Sequence, residues 1–144
     1  MKSKISLPIF INASNNKILI VGGGKTAAEN LNDILQNITD SNITLISPNI
    51  SEDLQLLLNE NNSVKILKRD YNVEDFSDQD LVIVATENQT SDEEIVSVLK
   101  ASKKLYFLPN QPSESTFFLT NVSNNETPEN NYLPLINGEK KWRR

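Results

Sequence analysis

Lys17-Ile18-Leu19-Ile20-Val21-Gly22-Gly23-Gly24-Lys25-Thr26-Ala27 decides the fold class, because an apolar run opens there into a glycine turn and then into a helical pattern. The sequence holds 4 glycines, and three of them are Gly22, Gly23 and Gly24. A chain so sparing of glycine that gathers it at one turn is using a backbone path few side chains tolerate. Ile18 to Val21 reads as a strand buried on both faces, as in parallel sheets. Gly22-x-Gly24-x-x-Ala27 then fits the dinucleotide-binding fingerprint in its Ala-ending form. The first glycine allows the tight turn, the second lets a pyrophosphate approach the backbone, and the small third residue lets helix pack on strand. Free N–H groups and the positive dipole end at the helix start would hold the phosphates. This assigns Gly22, Gly23, Gly24, Lys25, Thr26 and Ala27 to a nucleotide cofactor. A purely structural strand-to-helix turn remains the alternative, since glycine triplets occur in many such turns.

Outward from this stretch, Ala27, Leu31, Ile34 or Leu35, and Ile38 recur at helical spacing, so one face of a helix can pack on the sheet. Ile43 to Ser47 reads as a second strand, ended by Pro48. Ser47 and Pro48 stand where a dinucleotide site commonly carries an acidic residue on the ribose. Ser47 can still hydrogen-bond a ribose, or merely end the strand, and the choice between NAD and NADP stays open. Ser51 to Glu60 is a second helix with acids in its first turn. Val64 to Lys68 is an edge strand. In the polar stretch from Arg69 to Gln79, Tyr71 and Phe76 read as apolar anchors. Leu81 to Ala85 is a fully apolar strand followed by Thr86, Glu87 and Asn88. Ser91-x-x-Glu94 predicts a capping box opening a third helix, with Ile95, Val98 and Leu99 on its apolar face. Leu105 to Leu108 is a fifth strand, and Thr116 to Val122 a sixth. Leu7 to Ile11 reads as an edge segment over the core, with Pro8 excluding a central strand.

Alternation of strands and helices predicts a doubly wound, Rossmann-like α/β fold with a mostly parallel sheet of order 3-2-1-4-5. Residues 1–122 read as one nucleotide-binding domain and 123–144 as a polar tail. The chain has 144 residues, one domain's worth. Having 0 Cys and 0 His, it has no disulfide, thiol nucleophile or zinc-thiolate site, and no metal site is expected. Proton transfer falls to carboxylates, Lys, Tyr or water. A net charge of −5 argues against nucleic acid. No apolar run approaches the roughly 20 residues that span a bilayer, and Leu7 to Ile11 is too short for a signal-peptide core. A cytoplasmic protein is the expectation.

In this order the residues resemble a known family, the precorrin-2 dehydrogenase and sirohydrochlorin ferrochelatase module of siroheme synthesis. The resemblance rests on Leu7-Pro8-Ile9-Phe10, Val21-Gly22-Gly23-Gly24 with Ala27, Ser47-Pro48, Arg69-Asp70-Tyr71, Val84-Ala85-Thr86, and a Pro-bearing loop before Thr116-Phe117-Phe118. It runs colinearly from about residue 5 to 122. It implies NAD-dependent oxidation of precorrin-2 to sirohydrochlorin, with weak or no iron insertion here. NAD would be held by Gly22 to Ala27, Ser47 and Thr86, a tetrapyrrole would lie above the nicotinamide, and a homodimer would be the assembly. The family carboxylate thought to take protons falls at Asn110, which cannot accept one near neutral pH. Glu87 is the weaker substitute for that role. Two readings follow. One is a short NAD-dependent dehydrogenase in which water or Glu87 takes the proton. The other is a catalytically impaired homologue that binds a nucleotide, a tetrapyrrole or a partner protein.

Overall fold

The computed structural model describes residues 7–37 and 42–119. The chain divides into one unit of Ala13–Leu119 and another of Met1–Asn12 with Thr120–Arg144. Of the latter, residues 7–12 are described and have no regular secondary structure, in keeping with Pro8 excluding a central strand. Leu7, Ile9 and Phe10 in it are exposed. The tail expected beyond Ser123 lies outside the described residues.

The larger unit contains strands β1 (Lys17–Val21), β2 (Asn42–Ile46), β3 (Lys65–Leu67), β4 (Leu81–Val84) and β5 (Leu105–Phe107). Between them run helices α1 (Lys25–Leu35), α2 (Glu52–Glu60) and α3 (Gln89–Ala101). The five strands form one sheet in the order β3-β2-β1-β4-β5, as expected. All four pairings are parallel. Val21 at the end of β1 lies opposite both Ile46 of β2 and Val84 of β4, so three strands end at one level. The strand order reverses there, and the loops leaving β1 and β4 diverge to open a crevice.

Both faces of the sheet are covered, which explains why its central strands are apolar without alternation. Ile18, Ile20, Ile43, Leu45 and Ile83 pack against Ala27, Leu31 and Ile34 of α1 and Leu54 and Leu58 of α2. Leu19, Val21, Val82, Val84 and Tyr106 pack on the other side against Phe76 and against Ile95, Val96 and Leu99 of α3. Asn30, also buried on α1, turns its amide back onto the Thr26 carbonyl at 2.8 Å and so meets its need within the helix.

The helix starts differ in a way that matters for the site. The Ser51 hydroxyl caps α2 by accepting from Leu54 N–H at 3.3 Å. The N-cap of α1 is Gly24, which has no side chain to offer, and the first turn of α1 carries no acid. The capping box expected at Ser91 and Glu94 is not formed. Asn88 is the N-cap of α3 and accepts from Ser91 N–H at 3.0 Å, so the helix starts at Gln89. Glu94 instead accepts from the Tyr71 hydroxyl at 2.7 Å. An asparagine at the end of a loop is as good a cap as serine, and the helix takes the earlier one.

The sixth strand is also absent from 116–119. The Thr116 N–H still donates to the Tyr106 carbonyl at 2.9 Å, but side-chain hydroxyls take the neighbouring β5 donors: Thr116 Oγ1 accepts from Tyr106 N–H at 2.7 Å, and Ser115 Oγ from Leu108 N–H at 2.8 Å. They satisfy the outer edge of β5 without extending the sheet.

Leu19 is fully buried in the central strand. Leu19→Ala should therefore lower stability by about 2–5 kcal/mol. The check is urea unfolding followed by circular dichroism, with a lower midpoint and an unchanged slope.

Candidate functional site

At the switch point the three glycines do different jobs. Gly22 has φ +140, and a Cβ there would collide with the Ala85 carbonyl oxygen, so it permits β1 to run tightly past the end of β4. A Cβ on Gly23 would collide with the Asn49 carbonyl oxygen and crowd the Ser47 hydroxyl, so Gly23 is locked against the loop after β2. Gly23 also accepts from Ser51 N–H at 2.8 Å, tying this loop to the start of α2. Gly24 alone faces no backbone. What a Cβ would meet there is the carboxylate of Glu87, the far end of an exposed side chain.

A cleft of about 490 Å³ opens over this loop. Its walls include Gly22, Gly23, Gly24, Ser47, Pro48 and Thr86, brought together from the ends of β1, β2 and β4. Lys25 is exposed just outside this lining, while Ala27 is fully buried where α1 meets the sheet. The Ser47 hydroxyl donates to the Asn49 carbonyl at 2.7 Å, so its proton is engaged in the turn. Asp70 and Tyr71 complete the cleft wall from the β3 side. Tyr71 stacks on Phe76 with ring centroids 6.0 Å apart. Burial, together with its bond to Glu94, pushes its phenol up to about 12, so it stays protonated as a donor at any physiological pH.

The lining contains the acids Asp70 and Glu87 and neither Lys nor Arg. Two bases of this unit, Arg69 and Lys104, are engaged outside the cleft. Arg69 is held by Asp75 at 2.8 Å, and Lys104 Nζ donates to the Ser77 and Gln79 carbonyls at 2.9 Å. Lys103 has φ +59 where the chain leaves α3. Glu87, with φ +63, turns the chain sharply after Thr86, and its carboxylate lies over Gly24. Its place is thus beside the uncapped end of α1.

Asn110 opens onto a different, wider cleft of about 800 Å³, lined by the loop after β5 and by Glu93, Val96, Ser97 and Lys100 of α3. Between the two clefts lies Asp92, a residue that the sequence reading passed over. It is only 5% exposed. Its Oδ1 accepts from the Thr86 N–H at 3.2 Å and from the Thr86 hydroxyl. Burial raises the Asp92 carboxyl above the usual range, and Glu87 adds to this, while Thr86 and the Asn110 amide pull the other way. The signal was available: Asp92, Ile95, Val96 and Leu99 are the buried face of α3, at i, i+3, i+4 and i+7, and an acid in the first of those places is out of pattern. Among the described residues no group of three or more His, Cys, Asp or Glu could hold a metal ion, and no helix is long and apolar enough to cross a membrane.

A family model described as "Putative NAD(P)-binding" matches residues 9–121. The chain is similar to the precorrin-2 dehydrogenase of Bacillus subtilis (strain 168), 28% identical over 130 residues, which are 90% of this chain and 69% of that one. A siroheme synthase of Psychrobacter cryohalolentis is 33% identical over 92 residues, 64% of this chain and 17% of that one. A siroheme synthase of Actinobacillus pleuropneumoniae serotype 7 is 26% identical over 113 residues, 78% of this chain and 23% of that one. Among solved structures, SirC, a precorrin-2 dehydrogenase, superposes with a TM-score of 0.61 at 19% identity, covering 72% of this chain and 50% of its own. The chain therefore spans about half of that structure and under a quarter of the two synthases.

Two outcomes check the site's construction. Gly22→Ala should cost most of the fold's stability, whereas Gly24→Ala should melt near the parent temperature, because only a mobile side chain stands in its way. Asp92→Asn tests the buried acid. Because its folded pKa is raised, Asp92 stabilises the fold fully only below about 3.8, and that contribution is lost as pH rises through the raised value. The variant should melt higher than the parent at pH 7, with the gain shrinking as pH falls toward 4, as read by thermal unfolding across that range.

Proposed function

The chain belongs to the NAD(P)-binding family whose model spans residues 9–121, and on that premise we propose that it oxidises precorrin-2 to sirohydrochlorin with NAD, in siroheme synthesis. The observation that carries the nucleotide part is Gly24. It opens α1 with no side-chain cap, faces the cleft, and has nothing against it but the movable Glu87 carboxylate. The cradle that a Cβ would fill is thus one a phosphate can fill, with the bare N–H groups of the first turn of α1 as donors.

Gly24, Lys25, Thr26 and the turn before them would receive the pyrophosphate. Ser47, Pro48 and Asp70 would flank the ribose on the β2 side, and Thr86 the nicotinamide half. Asp70 supplies a carboxylate to this cleft, although β2 itself ends in Ser47. A 2′-phosphate would meet Asp70 with no cation in the lining, which favours NAD over NADP. When bound, NAD supplies the hydride acceptor. The protein's part is to hold substrate and cofactor in register and to manage the proton left behind. The tetrapyrrole is the substrate that the named relatives suggest, a second copy of the chain is the proposed partner, and the cytoplasm is the proposed location.

A second reading rests on Asn110. With an amide on the loop after β5, the chain would bind the nucleotide or the tetrapyrrole without turning over.

Calorimetric titration with NAD, followed by a precorrin-2 turnover assay, tests the proposal. Micromolar binding is expected. Gly24→Asp should abolish it while leaving the circular dichroism spectrum unchanged, and equal affinity in that variant would remove the site. Glu87→Gln should tighten NAD binding by about three- to tenfold, because it takes a like charge away from the pyrophosphate without changing the side chain's size.

A further inference from the structure

Oxidation of precorrin-2 removes two hydrogens. One leaves as a hydride with both electrons, and the other leaves as a proton that the reaction must place somewhere. Neither acid in the lining of the 490 Å³ cleft is well placed for this. Asp70 stands on the β2 and β3 side of the cleft, and Glu87 lies over the phosphate end at Gly24. Thr86 is different. It stands in the lining at the end of β4, and its hydroxyl points its proton at the buried Asp92 carboxylate behind it.

We propose that Thr86 and Asp92 together form the proton acceptor of this site, with Asp92 acting through the Thr86 hydroxyl; the proposal rests on the dehydrogenase reading above. The hydrogen bonds set the direction of transfer. Thr86 Oγ1 accepts from Asn88 N–H at 3.2 Å, and of the two acceptors within reach of its proton, the Asn88 carbonyl at 3.1 Å and the Asp92 carboxylate, the carboxylate is the nearer; donating there leaves one lone pair for the substrate. As the substrate's C–H or N–H bond releases its proton to that lone pair, the original Thr86 O–H bond breaks and its proton passes to Asp92 Oδ1. Threonine is unchanged, the carboxylate becomes a carboxylic acid, and the proton later returns to water in the cleft by the reverse path.

Asp92 is suited to this. Its burial raises its affinity for a proton, while the Thr86 N–H and the Asn110 amide still hold a carboxylate there. The ionisable groups that bear on it are Glu87 at the β4 loop and Tyr71 from the β3 side. Tyr71 is fixed on Glu94 as a neutral donor, so it does not compete for the proton. Asp92 is a positioning and proton-holding residue, and Thr86 is the group that touches the substrate.

The experiment uses the full chain with NAD and precorrin-2, and measures NAD affinity, melting temperature, kcat and KM as a function of pH. Asp92→Asn should keep NAD affinity within about twofold and melt no lower than the parent at pH 7. It should lose about a hundredfold or more in kcat with little change in KM. The kcat of the parent should rise with pH, and that rise should be lost in the variant. Thr86→Ser should keep most of the rate and Thr86→Val should lose it, which separates a hydroxyl relay from a packing role. The proposal is overturned if Asp92→Asn keeps kcat within about threefold, if its NAD affinity falls in step with kcat, or if Thr86→Val turns over like Thr86→Ser. It is also overturned if the parent binds both NAD and precorrin-2 yet does not turn over. A parent that fails to bind NAD at all would instead refute the dehydrogenase reading on which the proposal stands.

Discussion

The approach of Gly22 to the carbonyl of Ala85 is the constraint on which the rest of the site depends. The sheet brings the ends of β1 and β4 to one level, and the chain can leave β1 there only with φ +140 and no Cβ. That one turn sends α1 back across the sheet and aims its bare first turn into the crevice. It also brings the loop after β4 alongside, so that the Glu87 carboxylate lies at the start of α1. Gly23, locked on Asn49 and Ser47, ties the loop after β2 into the same corner. Three strand ends are thereby fixed relative to one another by backbone contacts, and the side chains that could do chemistry are carried on them.

Electrostatics give this corner its particular character. The positive end of α1 has no capping side chain, and the anion that covers it is Glu87, tethered to the neighbouring loop. A ligand phosphate and Glu87 want the same place, so part of any pyrophosphate's binding energy goes into moving a carboxylate that makes no hydrogen bond there. Arg69, just after β3, is already held by Asp75, and the cleft lining carries Asp70 and Glu87 with neither Lys nor Arg, which leaves the cleft acidic. An acidic cleft suits a cofactor with few negative charges. It suits a polycarboxylate tetrapyrrole less well, and charge outside the cleft would have to attract that substrate.

The half-buried Thr86 and the buried Asp92 lie between the two clefts. A carboxylate behind the sheet end is costly to keep ionised, and its cost falls where it is most useful if that group must take up a proton. The same contacts define the β4 loop: Asp92 accepts the Thr86 N–H, Asn88 caps α3, and the Asp92 N–H returns to the Asn88 carbonyl at 2.9 Å. Loop geometry and proton affinity therefore come from one small network.

Much of the fold was legible in the residues. Apolar runs without alternation marked the central strands, helical spacing marked their connections, and strand-helix alternation permitted few sheet orders besides 3-2-1-4-5. These signals are local and periodic, which is why a linear sequence carries them. The reading failed where two local options competed, as with Asn88 against Ser91 for the start of α3, and where side-chain hydroxyls replaced a ladder, as at Ser115 and Thr116. The glycine triplet marked the place of the candidate site but not the division of labour within it. That Gly22 and Gly23 are held by backbone and only Gly24 is open follows from carbonyls of Ala85 and Asn49, which are distant in sequence. Nor could the sequence place Glu87 over Gly24 or Asp92 behind Thr86. Such contacts exist only once the sheet has set the ends of separate strands side by side, because proximity across a switch point is a property of the assembled sheet and not of any one segment.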